Sequence, residues 1–107
     1  MSQDDWSTQE CAALLKVLAD KDRLQILQLL RQGPLAVSDI AALLELEIAN
    51  VSHHLGVLRR NGMVHTEREG KNIYYELAPD LLQNQRGVRQ HLNLGCCRLE
   101  ISRKGVE

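Results

Sequence analysis

A mainly α domain closed by one small β-hairpin is what this chain predicts, on three observations. Apolar residues recur at helical spacing from Leu14 to Leu58. Two short alternating segments, residues 63–68 and 72–77, are rich in β-branched and aromatic residues and flank Glu69-Gly70-Lys71. Aromatics make up only 3% of the chain and phenylalanine is absent, so the core must be aliphatic and leucine-rich. At 107 residues there is room for one domain with a modest core.

The elements follow in order. Ser7-Thr8-Gln9-Glu10 has the form of a capping box, with Ser7 as N-cap and Glu10 three residues on. It predicts a first helix to about Ala19, apolar at Leu14, Leu15, Val17 and Leu18. Asp20 caps a second helix that reaches Arg31 with Leu24, Ile26, Leu27, Leu29 and Leu30, and Gly33-Pro34 stops it. Ser38 begins a short third helix, Asp39 to about Leu44, and residues 45–48 connect it to a fourth over residues 49–61, closed by Gly62. After the hairpin, Pro79-Asp80 opens a last helix over roughly residues 80–94 with Leu81, Leu82, Val88, Leu92 and Leu94 apolar, and Gly95 ends it. A tail over 96–107 begins with Cys96-Cys97.

The fourth helix carries the functional signal. Val51, Leu55 and Leu58 share one stripe at about 100° per residue, the pattern of a helix docked on a core. The opposite side presents Ala49, Asn50, His53, Gly56, Val57 and Arg60, with no acid among them. Gly56 costs about 1 kcal/mol relative to alanine inside a helix, and close approach to another surface is one compensation. A short helix, a turn and a second helix with this outer face form a helix-turn-helix over residues 38–61. Two core helices of a small bundle fit the same pattern. The hairpin at 63–77 tips the balance, because a hairpin after a helix-turn-helix is a wing, here with Arg68 and Lys71 at its tip.

Net charge −1 and a pI near 6.4 exclude a generic polyanion binder. The charge is unevenly placed, however. Residues 48–75 hold four cations (Arg59, Arg60, Arg68, Lys71) against two acids (Glu67, Glu69), plus His53, His54 and His65. A two-fold dimer doubles that footprint, so DNA as ligand implies a dimer. The 44% apolar content, the mean hydropathy of −0.27 and the lack of an 18-residue apolar run predict a soluble protein without a membrane partner. The acidic start, Asp4-Asp5, lacks the basic region of a signal peptide, which makes the cytoplasm the expected compartment. Three cysteines are an odd number for a disulfide framework, so reduced thiols are expected.

Residues 18–27 (Leu-Ala-Asp-Lys-Asp-Arg-Leu-Gln-Ile-Leu), Val51-Ser52-His53-His54-Leu55, Leu58-Arg59-Arg60-Asn61-Gly62-Met63-Val64 and Gly70-Lys71-Asn72-Ile73-Tyr74-Tyr75 resemble the ArsR/SmtB family of metal-responsive winged-helix repressors. The resemblance covers about residues 17–77. It implies a winged helix-turn-helix that binds double-stranded operator DNA as a homodimer, pairs through its first and last helices (7–20 and 80–95), and leaves DNA when an inducer binds. Leu14, Leu18, Leu81, Val88 and Leu92 would then partly line a subunit interface, a monomeric core being the competing reading. Asn50, Ser52, His53 and Arg60 would meet the operator, with Arg68 and Lys71 at the wing, and no cofactor is required for DNA binding. Asparagine suits bidentate reading of adenine, and Val57 suits a thymine methyl. His54, beside the core stripe, is expected to pack rather than read bases.

Many arsenic, lead and cadmium sensors of the family carry Cys-Val-Cys at the start of the third helix; here Ala36 and Ser38 stand there. A zinc site of the family uses Asp and His on the last helix with a second His beyond; Asp80 and His91 are present but the second His is not, which speaks against zinc. Cys11 and the pair Cys96-Cys97 remain, on the two elements expected to meet. Soft thiolates favour soft ions, and three sulfurs suit trivalent arsenic. The expected inducer is arsenite, methylarsenite or antimonite at Cys96, Cys97 and Cys11. Cys11 as a buried small hydrophobe and a thiol switch responding to oxidants or polysulfide are the alternatives. A thiol oxidoreductase is the reading from another class. It lacks Cys-x-x-Cys, a βαβ pattern and a phosphate-cradling glycine loop, so no enzyme is expected.

Overall fold

Ser7 caps the first helix as its sequence dictates. Its hydroxyl accepts from the Glu10 backbone N–H at 3.0 Å, while the Glu10 carboxylate accepts from the Ser7 N–H at 3.0 Å, and α1 runs Thr8–Leu18. Asp20 caps α2 (Lys21–Leu30) by accepting from the Arg23 N–H at 3.0 Å. In this computed structural model, residues 7–84 and 90–100 are described, residues 82–84 and 90–91 as backbone alone. α3 spans Val37–Leu44 and α4 Ile48–Arg60. The third helix begins earlier than Ser38: Ala36 stands at its N-cap, with no side-chain cap. The turn between α3 and α4 closes through the Leu46 N–H to the Ala41 carbonyl (3.0 Å) and the Glu45 N–H to the Ala42 carbonyl (3.3 Å), with Glu45 in the left-handed region.

The wing is an antiparallel hairpin of β1 (Val64–Glu69) and β2 (Asn72–Leu77), in register from Val64↔Leu77 to Glu69↔Asn72. Gly70, at φ 63°, makes its two-residue turn. Leu35 adds a one-residue bridge to Tyr75, with hydrogen bonds of 3.0 and 2.8 Å, which sequence periodicity did not reveal. Ile26, Leu27, Ile40, Val51, Leu55, Leu58 and Met63 are fully buried between α2, α3, α4 and the base of the wing.

The last helix expected over residues 80–94 is not what the structure describes. β3 (Leu82–Asn84), β4 (Gln90–Asn93) and β5 (Arg98–Glu100) form an antiparallel sheet in the order β3-β4-β5, with Leu82↔Leu92 and Leu92↔Leu99 in register. One feature of the sequence accounts for the difference. Leu92 and Leu94 are both buried around the partly exposed Asn93, which is the period of a strand rather than a helix. Gly95, expected as a helix end, lies in the β4–β5 turn, where its N–H donates to the Asn93 side chain at 3.0 Å. Val88 lies outside the described residues.

The Asp20 cap carries a pH signature. The Arg23 backbone N–H, helped by the Arg23 guanidinium and opposed by partial burial, holds the Asp20 carboxyl below its ordinary value. A carboxyl depressed in the folded state stabilises the fold above its unfolded pKa and loses that contribution as pH falls through the folded value. Asp20→Ala is therefore expected to cost about 1 kcal/mol in urea denaturation at pH 7. The gap between the two proteins should narrow as pH falls below about 4. A gap that widened in acid would contradict the cap.

Candidate DNA-binding face and thiol site

α4 divides its residues as a docked helix must. Val51, Leu55 and Leu58 are wholly buried, and His54 joins them at 8% exposure, packed as expected. Asn50, Ser52, His53, Arg59 and Arg60 are exposed. Arg59 was not singled out by the sequence, because a periodic stripe marks the buried side and does not rank the outer positions. A Cβ on Gly56 would meet the end of the Arg60 side chain at 3.4 Å and no backbone, so its own chain does not demand glycine there. Arg68 and Lys71 are exposed at the wing tip. The opposite end of the hairpin is balanced rather than basic: His65 Nε2 lies 2.7 Å from the Glu76 carboxylate across the strands.

The three cysteines converge within one chain. Cys11 on α1 is joined to Cys96 in the β4–β5 turn by a disulfide with Cα atoms 5.8 Å apart. The free Cys97 sulfur lies 3.9 Å from both of theirs. All three are partly buried, and Cys96 and Cys97 pack against the edge of the core. The odd count argued for reduced thiols throughout. What it did not reveal is that one pair and one free thiol also satisfy it, once a hairpin turn brings residues 96 and 97 to a helix 85 positions away.

The leucines expected at a subunit interface separate. Leu18, Leu81 and Leu92 are buried in their own chain at 4%, 4% and 3% exposure, while Leu14 is half-buried and its neighbour Leu15 is 38% exposed. No described helix is long and apolar enough to cross a membrane.

Residues 20–66, which hold α2, the helix-turn-helix and the start of the wing, match the model of the arsR family of bacterial regulatory proteins. NmtR of Mycobacterium tuberculosis, an HTH-type transcriptional regulator, is 40% identical over 96 residues, covering 86% of this chain and 80% of its own length. The chain belongs to the ArsR family. Among its ArsR relatives, the arsenical resistance operon repressor of Staphylococcus aureus is 33% identical over 88 residues, 82% of each chain. A homodimeric winged helix-turn-helix DNA-binding domain from Mycobacterium bovis superimposes with a TM-score of 0.58 at 38% identity, over 68% of this chain and 73% of that one. Several other relatives are matched over only 60–64% of their own length. The expected winged helix-turn-helix is thus the fold, and this ArsR-family chain is a transcriptional regulator rather than a thiol oxidoreductase.

Proposed function

We propose that this chain represses transcription in the cytoplasm by binding operator DNA as a homodimer, and releases it when a trivalent arsenical or antimonite engages Cys11, Cys96 and Cys97. The convergence of three sulfurs from α1 and the β4–β5 turn carries the reading. The Staphylococcus aureus relative named for arsenical resistance supports it. Arsenite suits this donor set. In the reduced protein, three thiol protons leave with the three oxygens of arsenite as water, three As–S bonds form, and no oxidation state changes. Two soft thiolates beside a third favour arsenic over zinc, which prefers four tetrahedral ligands. Because the site joins α1 to the C-terminal sheet, filling it changes how the dimer holds its two α4 helices.

The Cys11–Cys96 disulfide favours a second reading, a redox switch at the same place. Two thiols then lose two protons and two electrons to an oxidant such as a polysulfide, which is reduced. An arsenical would need that disulfide reduced first.

On the operator side, Asn50, Ser52 and His53 read bases, Arg60 holds phosphate, and Arg68 and Lys71 meet the backbone from the wing. Arg60→Ala and Lys71→Ala are each expected to flatten the salt dependence of promoter binding by about 0.9 in log–log slope, the loss of one phosphate contact. Unchanged slopes would remove those contacts.

The inducer is tested by titrating arsenite, methylarsenite, antimonite, zinc, cadmium and a polysulfide into the reduced protein bound to DNA from upstream of its own gene. Release by the trivalent arsenicals is expected. Release by zinc alone would refute the proposed site, and release by polysulfide alone would select the redox reading.

A further inference from the structure

A second polar cluster lies away from the thiols, where α1, α2 and α4 meet. The Arg23 Nε–H donates to the Val17 carbonyl near the C-terminus of α1 at 2.6 Å. The same guanidinium's Nη1 lies 3.2 Å from His54 Nδ1, on the buried side of α4. One side chain of α2 thus bridges the end of α1 to the middle of the recognition helix. The chemistry of the bridge is restrictive. A guanidinium only donates hydrogen bonds and keeps its charge, so His54 Nδ1 must accept and the ring must be neutral with its proton on Nε2. That Nε2 faces the Asp22 carboxylate at 3.7 Å, too far for a hydrogen bond but within ion-pair range.

We propose that Arg23 and His54 are positioning residues for operator recognition, forming a link that holds α4 to α1 only while His54 is uncharged. Protonation puts an N–H against the guanidinium, breaks the bond and draws the ring toward Asp22, so that α1 and α4 part while both remain packed on α2. The charged and titratable groups facing the ring are Asp20, Asp22 and Arg23 from the start of α2, and His53 from α4 itself, whose ring centroid is 5.6 Å away. Acid should therefore weaken DNA binding by a route that does not involve the cysteines. The inference rests on DNA binding and not on the identity of the inducer.

The test uses the full chain, kept reduced with no inducer present, in two measurements. Nitrogen-15 NMR of the imidazoles at pH 8 should find His54 Nδ1 unprotonated and Nε2 protonated. Anisotropy with promoter DNA should show the wild type losing about tenfold more affinity between pH 8 and pH 5.5 than His54→Asn, whose amide oxygen replaces Nδ1 as acceptor and does not titrate, on the scale of one charge-assisted hydrogen bond. His54→Leu should bind weakly at both pH values. Should His54→Asn not fold, Arg23→Lys serves instead, because one ammonium cannot span Val17 and His54 and the acid loss should shrink. Equal acid losses in wild type and variant, or a proton on Nδ1 at pH 8, would overturn the link. If the wild type binds no promoter DNA at pH 8, the operator reading fails, and the NMR measurement alone decides whether the Arg23–His54 link exists.

Discussion

Leu55→Ala is expected to lower stability by about 3–4 kcal/mol in urea denaturation, a large share of the roughly 5–15 kcal/mol that holds a domain of this size. Leu55 is wholly buried on the inner side of α4, in the same cluster as Ile26, Leu27, Ile40, Val51, Leu58 and Met63. The cost has two parts: the transfer free energy of the lost methyl groups and the cavity they leave. That cavity is lined from helices on several sides, so no single neighbour can collapse into it. Leu43→Ala provides the contrast, because Leu43 is 60% exposed on α3 and its loss should stay within about 0.5 kcal/mol. A cost below about 1 kcal/mol for Leu55→Ala would mean that α4 is not seated as described.

The thiol site carries the other large effect. Cys97→Ser and Cys96→Ser should each raise the arsenite concentration needed for release from DNA by at least about tenfold, since even outer-sphere changes at such sites cost that much. Cys11→Ser asks whether the third sulfur belongs to the site, and a comparable loss is expected if α1 and the β4–β5 turn are tied together by the inducer. The same variants separate the two readings. A redox switch needs the sulfurs that form the disulfide, Cys11 and Cys96, and tolerates loss of Cys97. A three-sulfur arsenical site does not. Arsenite release unchanged in both Cys96→Ser and Cys97→Ser would end the arsenical proposal.

The parts of this chain that sequence reasoning resolved are those where neighbours in sequence are neighbours in space. The Ser7–Glu10 box, the Asp20 cap, the Val51/Leu55/Leu58 stripe and the turn at Gly70 each depend on contacts within a few residues, and each stands where its residues placed it. The first turn of α3 was misplaced by two residues, because Ser38 has the chemistry of a cap while Ala36 has only the backbone conformation of one. The C-terminal segment failed for a related reason. Leucines at 81, 82, 92 and 94 satisfy neither period over their whole span, and the outcome was set by pairing with residues 98–100 and by burial of Leu92 and Leu94.

By itself, the sequence determined a leucine-built helix-turn-helix with a wing and a fourth helix whose exposed side bears Asn50, Ser52, His53 and Arg60. Propensity, capping and periodicity are local, and they act along the chain. Only the tertiary structure decided what those elements bring together: Cys11 with Cys96 and Cys97, and Arg23 with His54. Contacts spanning 31 to 86 positions leave no periodic trace, because they follow from how the helices and the last sheet pack rather than from any spacing within a segment.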